Sequence, residues 1–299
     1  MSRFYLNGFT AHDSVPGQEP YVWLASLDTG VIKRRSPKNI SIVSGYYDDS
    51  GGLEEPAKTI ESHLNRVETA AAAAIRRFVA VDISRRMVAS PQIFRFLAWQ
   101  AARTPGMMEL EQEWANDWDP CSSDVLAEPP PEGLSQIKNR FRPLLLEDPT
   151  TGQTRDITDG DEFNALRRLG WKWVFRRDDM LECMHMQAWY FQVRHFPRLD
   201  WTRLDAPPGE CFVTSDRAVT WMADGFIDQP PAALRHSSAQ LVATLTRRTA
   251  LVGRRRRCTL NVSPREINRF VAVTASKWLA GPTKSALEQA LTDRAEALA

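Results

Sequence analysis

The chain has 299 residues, 43% of them hydrophobic and 25% charged, with a formal net charge of +1. That balance allows a sizeable core, argues against wholesale disorder, and gives no global field toward nucleic acid or an anionic membrane, so any basic surface has to be local. No apolar run reaches the roughly 18 residues of a membrane span; "MSRFYLNGFTAHDS" has no secretory core and Cys121, Cys183, Cys211 and Cys258 are dispersed without CxxC, which predicts a cytoplasmic protein with reduced thiols and no structural zinc.

"YVWLASLDTGVIKRRS" predicts a hairpin: Tyr21 to Leu27 and Val31 to Arg35 alternate, and Asp28, Thr29 and Gly30 supply a tight turn. From Ala57 to Phe78, Ile60, Leu64, Val67, Ala71, Ala74 and Phe78 fall at three- and four-residue steps, the apolar stripe of a long helix. Ser90 as N-cap and Pro91 in the first turn open a second helix carrying Ile93, Phe94, Leu97 and Ala101, which stops before Pro105. "MMELEQEWANDW" predicts a third, with Met107, Leu110, Trp114 and Trp118 along one side.

The Pro-rich stretch at about 119–133 forbids helix and central strand and reads as a surface excursion within one domain. Helices are expected near Leu134–Leu146, Asp161–Leu169 and Asp178–Trp189, with "WKWVF" as a strand between the last two. Strands are expected at Leu199–Leu204, Cys211–Thr214, Ala218–Met222, Leu241–Leu245 and Cys258–Val262. Ser263-Pro264-Arg265-Glu266 is a capping box opening a helix whose Ile267, Phe270, Val271, Thr274 and Trp278 face inward and which Gly281-Pro282 ends; a last helix runs from about Thr283 to Leu298. The fold class is therefore α+β: a predominantly helical single domain over 1–299, with an N-terminal β-hairpin and a small C-terminal strand region closed by two helices.

Chemical signatures are few. Glu109, Glu113 and Asp117 form an acidic row that reads as a solvated face opposite an apolar one rather than as metal ligands. His185 sits among Met184, Met186, Trp189 and Tyr190 and reads as a packed histidine; His12, His63, His195 and His236 show no HExxH pattern. Ser215 lacks the flanking glycines of a nucleophile elbow. In "GECFVTSDRAVTW" the group Thr214-Ser215-Asp216 has two readings: a polar turn satisfying freed backbone groups, or a reactive corner in which Asp216, Glu210 and Ser215 serve a catalytic site, with Glu210 and Asp216 gathering a divalent metal as in a nuclease core. The turn is the preferred reading. "RRTALVGRRRRC" concentrates Arg247, Arg248, Arg254, Arg255, Arg256 and Arg257, an anion-binding candidate whose bland counterpart is a charged turn between strands.

The segments "FYLNGFT", "VWLASLDTGVIKRRSPKNISIVSGYYD", "IESHL", "GECFVTSDRAV", "TLTRRTALVG" and "INRFVAVTASKW" occur in an order that resembles a mostly bacterial family, domain of unknown function 4238, over nearly the whole chain. Members of that family usually carry a His- and Pro-containing stretch ahead of the Tyr-Leu motif, whereas only Met1, Ser2, Arg3 and Phe4 precede Tyr5 and Leu6 here; the resemblance implies that this chain lacks whatever chemistry those histidines do, or starts late relative to the family. It strengthens the fold reading more than the functional one. The functional expectation is a cytoplasmic, non-catalytic binding or accessory protein, of bacterial defence or stress, that recognises nucleic acid or another polyanion through the arginines and does not engage membranes. The alternative is a metal-dependent nuclease or other phosphate-directed hydrolase, and a divalent cofactor belongs to that alternative alone.

Overall fold

The computed structural model describes residues 3–11, 19–40, 54–81, 90–102, 144–157, 162, 165–166, 168–173, 188, 191–192, 196–223, 226–227, 240–255 and 262–299. The class is α+β, with antiparallel pairing throughout the described sheets. The chain divides into two compact units, one formed by 1–104 with 185–299 and the other by 105–184. The predicted surface excursion at 119–133, the "MMELEQEWANDW" helix, most of the helix predicted at Asp178–Trp189 and all but Val262 of the Cys258–Val262 strand lie outside the described residues.

In the first unit, the hairpin is β1 (Val22–Ser26) and β2 (Ile32–Arg35), turned through Gly30 at φ 67°, a left-handed conformation that glycine adopts without steric cost. β1 lies between β2 and β12 (Trp278–Gly281), and β7 (Thr214–Ser215) completes a four-stranded sheet in the order β2-β1-β12-β7. A five-stranded sheet has β6 (Asp200–Asp205), β11 (Thr249–Arg254), β10 (Gln240–Thr244), β8 (Thr220–Ala223) and β9 (Phe226–Ile227) in that order. The predicted strands at Leu199–Leu204, Ala218–Met222 and Leu241–Leu245 thus form with shifts of one or two residues at their ends.

The helices are α1 (Arg3–Asn7), α2 (Glu54–Ala80), α3 (Pro91–Ala102), α4 (Pro264–Thr274) and α5 (Lys284–Leu298). Leu64, Val67, Ala71, Ala74 and Phe78 are buried, as the stripe on α2 predicts. α3 is buried well beyond one face, with Ile93, Phe96, Leu97, Ala98 and Trp99 all in the core, because the rings of Phe4 and Tyr5 from α1 cover Phe96 at 5.1 and 5.8 Å between centroids. The capping box at Ser263 and Glu266 forms in full, and Thr283 caps α5 through the N–H of Ala286.

Three local expectations in this unit need correction. The helix opened by Ser263 ends at Thr274, not at Gly281: Ala275 is extended (φ −61°, ψ 137°) and Trp278 begins β12. Trp278 stands at helical spacing from Val271 and Thr274, but pairing with β1 and β7 outweighs that periodicity. Cys211–Val213 is not strand; only Thr214 and Ser215 pair, with Ala280 and Leu279. β11 arises inside the arginine-rich stretch, where Gly253 is required by packing: a Cβ there would lie 2.9 Å from Leu199 Cδ1 and 3.0 Å from the Trp201 ring.

In the second unit, β3 (Leu144–Glu147) pairs with β4 (Thr154–Ile157) and with β5 (Lys172–Trp173). The end of the helix expected at Leu134–Leu146 is therefore strand. Its cause follows in the sequence: Asp148 accepts from the Thr150 N–H (2.8 Å) and the Thr151 hydroxyl (3.0 Å), and Gly152 takes φ 69°, closing a hairpin. Leu146, Ile157 and Leu166 form its small core against Trp171.

Candidate functional site

The corner at Thr214-Ser215-Asp216 is assembled from side chains that complete the backbone. Thr214 and Ser215 are fully buried. The Ser215 hydroxyl donates to the Arg217 carbonyl (2.9 Å) and accepts from the Arg217 N–H (3.1 Å), a local turn that occupies the oxygen a nucleophile would need. Asp216 Oδ1 accepts from three successive N–H groups, those of Ser276 (3.1 Å), Lys277 (3.2 Å) and Trp278 (3.4 Å). It thereby holds the turn between α4 and β12, which is the physical reason that helix stops where it does. Glu210 lies exposed in the turn after Pro207, and its carbonyl accepts from the Arg248 guanidinium at 3.1 Å. Among the described residues, no three His, Cys, Asp or Glu side chains are arranged to hold a metal ion.

The arginine run is divided by the strand it contains. Arg247 and Arg248 precede β11 and Arg254 closes it, so Arg248 and Arg254 stand about 20 Å apart at ~3.3 Å per residue. At the first end, both guanidiniums bind main chain: Arg247 Nη1 donates to the Thr10 carbonyl (3.1 Å), and Arg248 Nη1 to those of Pro207 (2.8 Å) and Glu210 (3.1 Å). At the other end, Arg254 and Arg255 are half-buried, and the Arg254 Nε is enclosed without a hydrogen-bond partner. Arg256 and Arg257 lie outside the described residues, as do Glu109, Glu113, Asp117, Cys121, Cys183, Cys258 and the side chains of the five histidines.

The motif segments from distant parts of the chain meet around Tyr5. Its buried phenol donates to the Thr244 carbonyl (2.5 Å) and shares a hydrogen bond with the Thr214 hydroxyl (3.0 Å), joining α1 to β10 and β7. Burial pushes that phenol up to about 12, with the two threonines acting weakly in the other direction. The Gly8 carbonyl accepts from the Arg247 N–H at 2.8 Å. Asn268 on α4 donates to the Cys211 carbonyl (2.9 Å) and accepts from the Val213 N–H (2.9 Å), so one amide does for 211–213 what a neighbouring strand would do. Burial raises the Cys211 thiol, opposed by Thr283, Arg247 and Arg248 nearby.

Sequence reasoning missed two arginines that close helices. Arg203 on β6 donates to the carbonyls of Phe78 (2.6 Å), Val79 (3.2 Å) and Val81 (2.7 Å) at the end of α2 while paired with Asp205 at 2.8 Å. Arg294 on α5 does the same for α4 through the carbonyls of Ala272, Val273 and Ala275. Both place positive charge where the helix dipole is negative. Their partners lie over a hundred and about twenty residues away, respectively, beyond the reach of local pattern. It also missed the basic character of β2, where Lys33, Arg34 and Arg35 are all exposed. The signal was present in the hairpin sequence "VIKRRS".

No curated protein and no solved structure matches the chain. One family model does, over residues 1–285, so that it spans the Tyr5 junction, the Asp216 corner, both ends of β11 and all of α4. The chain belongs to the family described as Protein of unknown function (DUF4238).

Proposed function

We propose that this is a cytoplasmic, non-catalytic binding or accessory protein of a bacterium, recognising nucleic acid or another polyanion through an arginine surface. The observation that supports the reading is the density of the arginine run. Arg247 and Arg248 bind main-chain carbonyls, and Arg254 ends β11 immediately ahead of Arg255, Arg256 and Arg257. Four consecutive arginines in a chain of net charge +1 concentrate positive charge locally without a global surplus. The hydrolase alternative has weaker support, because Asp216 spends an oxygen on three N–H groups and Ser215 spends its hydroxyl on a turn.

Arg255→Gln/Arg256→Gln should elute earlier from heparin and bind single-stranded DNA more weakly, with the difference shrinking as salt rises, since counterion release drives such binding. Retention equal to wild type at every salt concentration would overturn this assignment. Cleavage of the DNA that depends on Mg²⁺ or Mn²⁺ and is abolished in Asp216→Ala would favour the hydrolase.

A further inference from the structure

We propose that α5 is a releasable strap: it opens as a unit while the central sheets stay closed, and its docking holds the turn between α4 and β12 that Asp216 also grips. α5 has 15 residues, and Leu287 and Ala290 are its only buried apolar side chains. The third buried residue is a carboxylate, Asp293. A helix docked through so little apolar area depends on its polar bonds, and segments of that kind open at lower free energy than the core they cover. The family match ends at residue 285, two residues into α5, so the body of the strap lies outside the matched span.

Two adjacent residues make those bonds. Asp293, 4% exposed, accepts from Arg265 Nη2 (2.8 Å) and Nε (3.2 Å) at the start of α4, and from Gln289 Nε2 (2.9 Å) one turn back on α5. Arg294 reaches the other end of α4, where it donates to the carbonyls of Ala272, Val273 and Ala275. The strap thus grips α4 near both of its ends. Immediately beyond Ala275, the N–H groups of Ser276, Lys277 and Trp278 donate to Asp216. One short stretch of main chain is therefore held from two directions, its carbonyls by Arg294 and its N–H groups by Asp216. With the strap open, Asp216 alone holds the turn.

Asp293 is the charge on which the clasp depends. α4 brings Arg265 and Arg269 toward it, while Glu266 is turned to the Ser263 cap. β1 and β12, which also pack against α5, carry no ionisable side chain. On α5 itself, Lys284 pairs with Glu288 (3.3 Å), Arg294 is committed to α4, and Glu296 acts on Arg265. The hydrogen bond from Arg265 holds the Asp293 carboxyl below the ordinary aspartate range, against the opposing effect of burial. Its contribution to docking is therefore present above the unfolded value of about 3.9 and is lost as pH falls through the folded one.

The test is native-state hydrogen exchange of the full chain, read as protection of individual hydrogen-bonded amides in wild type, Asp293→Asn and Arg294→Gln. In wild type, α5 should be protected at least about tenfold less than β10 and β11. Asp293→Asn keeps the shape of the side chain and removes its charge. It should lower protection about tenfold in α5 and at the amides of Ser276, Lys277 and Trp278, while β10 and β11 change less than about twofold. Arg294→Gln should reproduce that pattern. The gap between wild type and Asp293→Asn should narrow as pH falls below about 4, because wild type then takes up the missing proton.

Protection of α5 equal to that of β10 and β11 in wild type would overturn the strap, since the helix would then open only with the whole unit. A uniform loss across α5, β10 and β11 in both variants would do the same. Loss confined to α5, with residues 276–278 protected as in wild type, would overturn its hold on the turn. A gap that stays constant from about pH 7 to about pH 3 would remove Asp293 as the charge that fastens it.

Discussion

The turn ahead of β11 and the strand β2 each carry adjacent arginines, Arg247-Arg248 and Arg34-Arg35, in opposite circumstances. In the turn, the guanidiniums bind carbonyls of Thr10, Pro207 and Glu210, contributed by segments far apart in sequence. On β2, one guanidinium lies on aromatic rings and all three cations remain exposed. A basic run in sequence therefore reports on ligands only once the destination of its N–H groups is known. The stretch with the greater density of arginine devotes its first two to fold closure, and the stretch with less leaves its three cations exposed.

The same division separates the internal polar groups from the outer ones, and the largest effect that would break it belongs to Arg203. The Arg203–Asp205 pair is mostly enclosed, at 15% and 19% exposure, and the guanidinium also closes α2. Arg203→Ala should cost about 3–5 kcal/mol in urea unfolding, because it strands a carboxylate and the last carbonyls of the helix together. A loss under about 1 kcal/mol would show that α2 does not depend on this closure.

Asp216→Ala should cost about 1–3 kcal/mol, since three N–H groups lose their acceptor. Asp216→Asn, which keeps an acceptor oxygen, should recover most of that. A melt of Asp216→Ala at or above wild type would return the corner to the class of functional sites, where stability is commonly sacrificed.

A smaller and pH-dependent effect comes from Tyr5. Below about pH 10 the phenol is protonated in both folded and unfolded chains and contributes no pH dependence. As pH rises toward the folded value of about 12, only the unfolded chain loses its proton, so the folded state is penalised. Between about pH 9 and 11, wild type should lose about 1 kcal/mol more than Tyr5→Phe. Parallel losses in the two proteins would mean that the phenol is not enclosed as described.

The helical stripe on α2, the hairpin and the capping box at Ser263 were legible in the sequence, because each is written in contiguous residues with a fixed spacing or a specific turn chemistry. β11 and β12 were not. Both are flanked by residues that argue for a turn or a helix; β12 is stabilised by strands more than sixty residues away, and β11 by β10 across a tight turn and by β6 more than forty residues away. The preferred turn at Thr214-Ser215-Asp216 was readable from residue type, but not the receiving turn at 276–278, sixty residues on. Asn268 gave a faint signal as a polar side chain beside the apolar stripe of α4, without indicating what it would bind.

That Arg247 and Arg248 ahead of β11 hold the fold, while Arg255 and Arg256 beyond it serve the proposed anion surface, is tested most directly by setting Arg247→Gln/Arg248→Gln beside Arg255→Gln/Arg256→Gln in one thermal melt and one oligonucleotide titration. The first variant should melt about 3–6 °C lower and bind within about twofold of wild type while folded. The second should melt with wild type and bind more weakly with a shallower salt slope. An Arg247→Gln/Arg248→Gln protein that melts with wild type and loses binding would contradict the account.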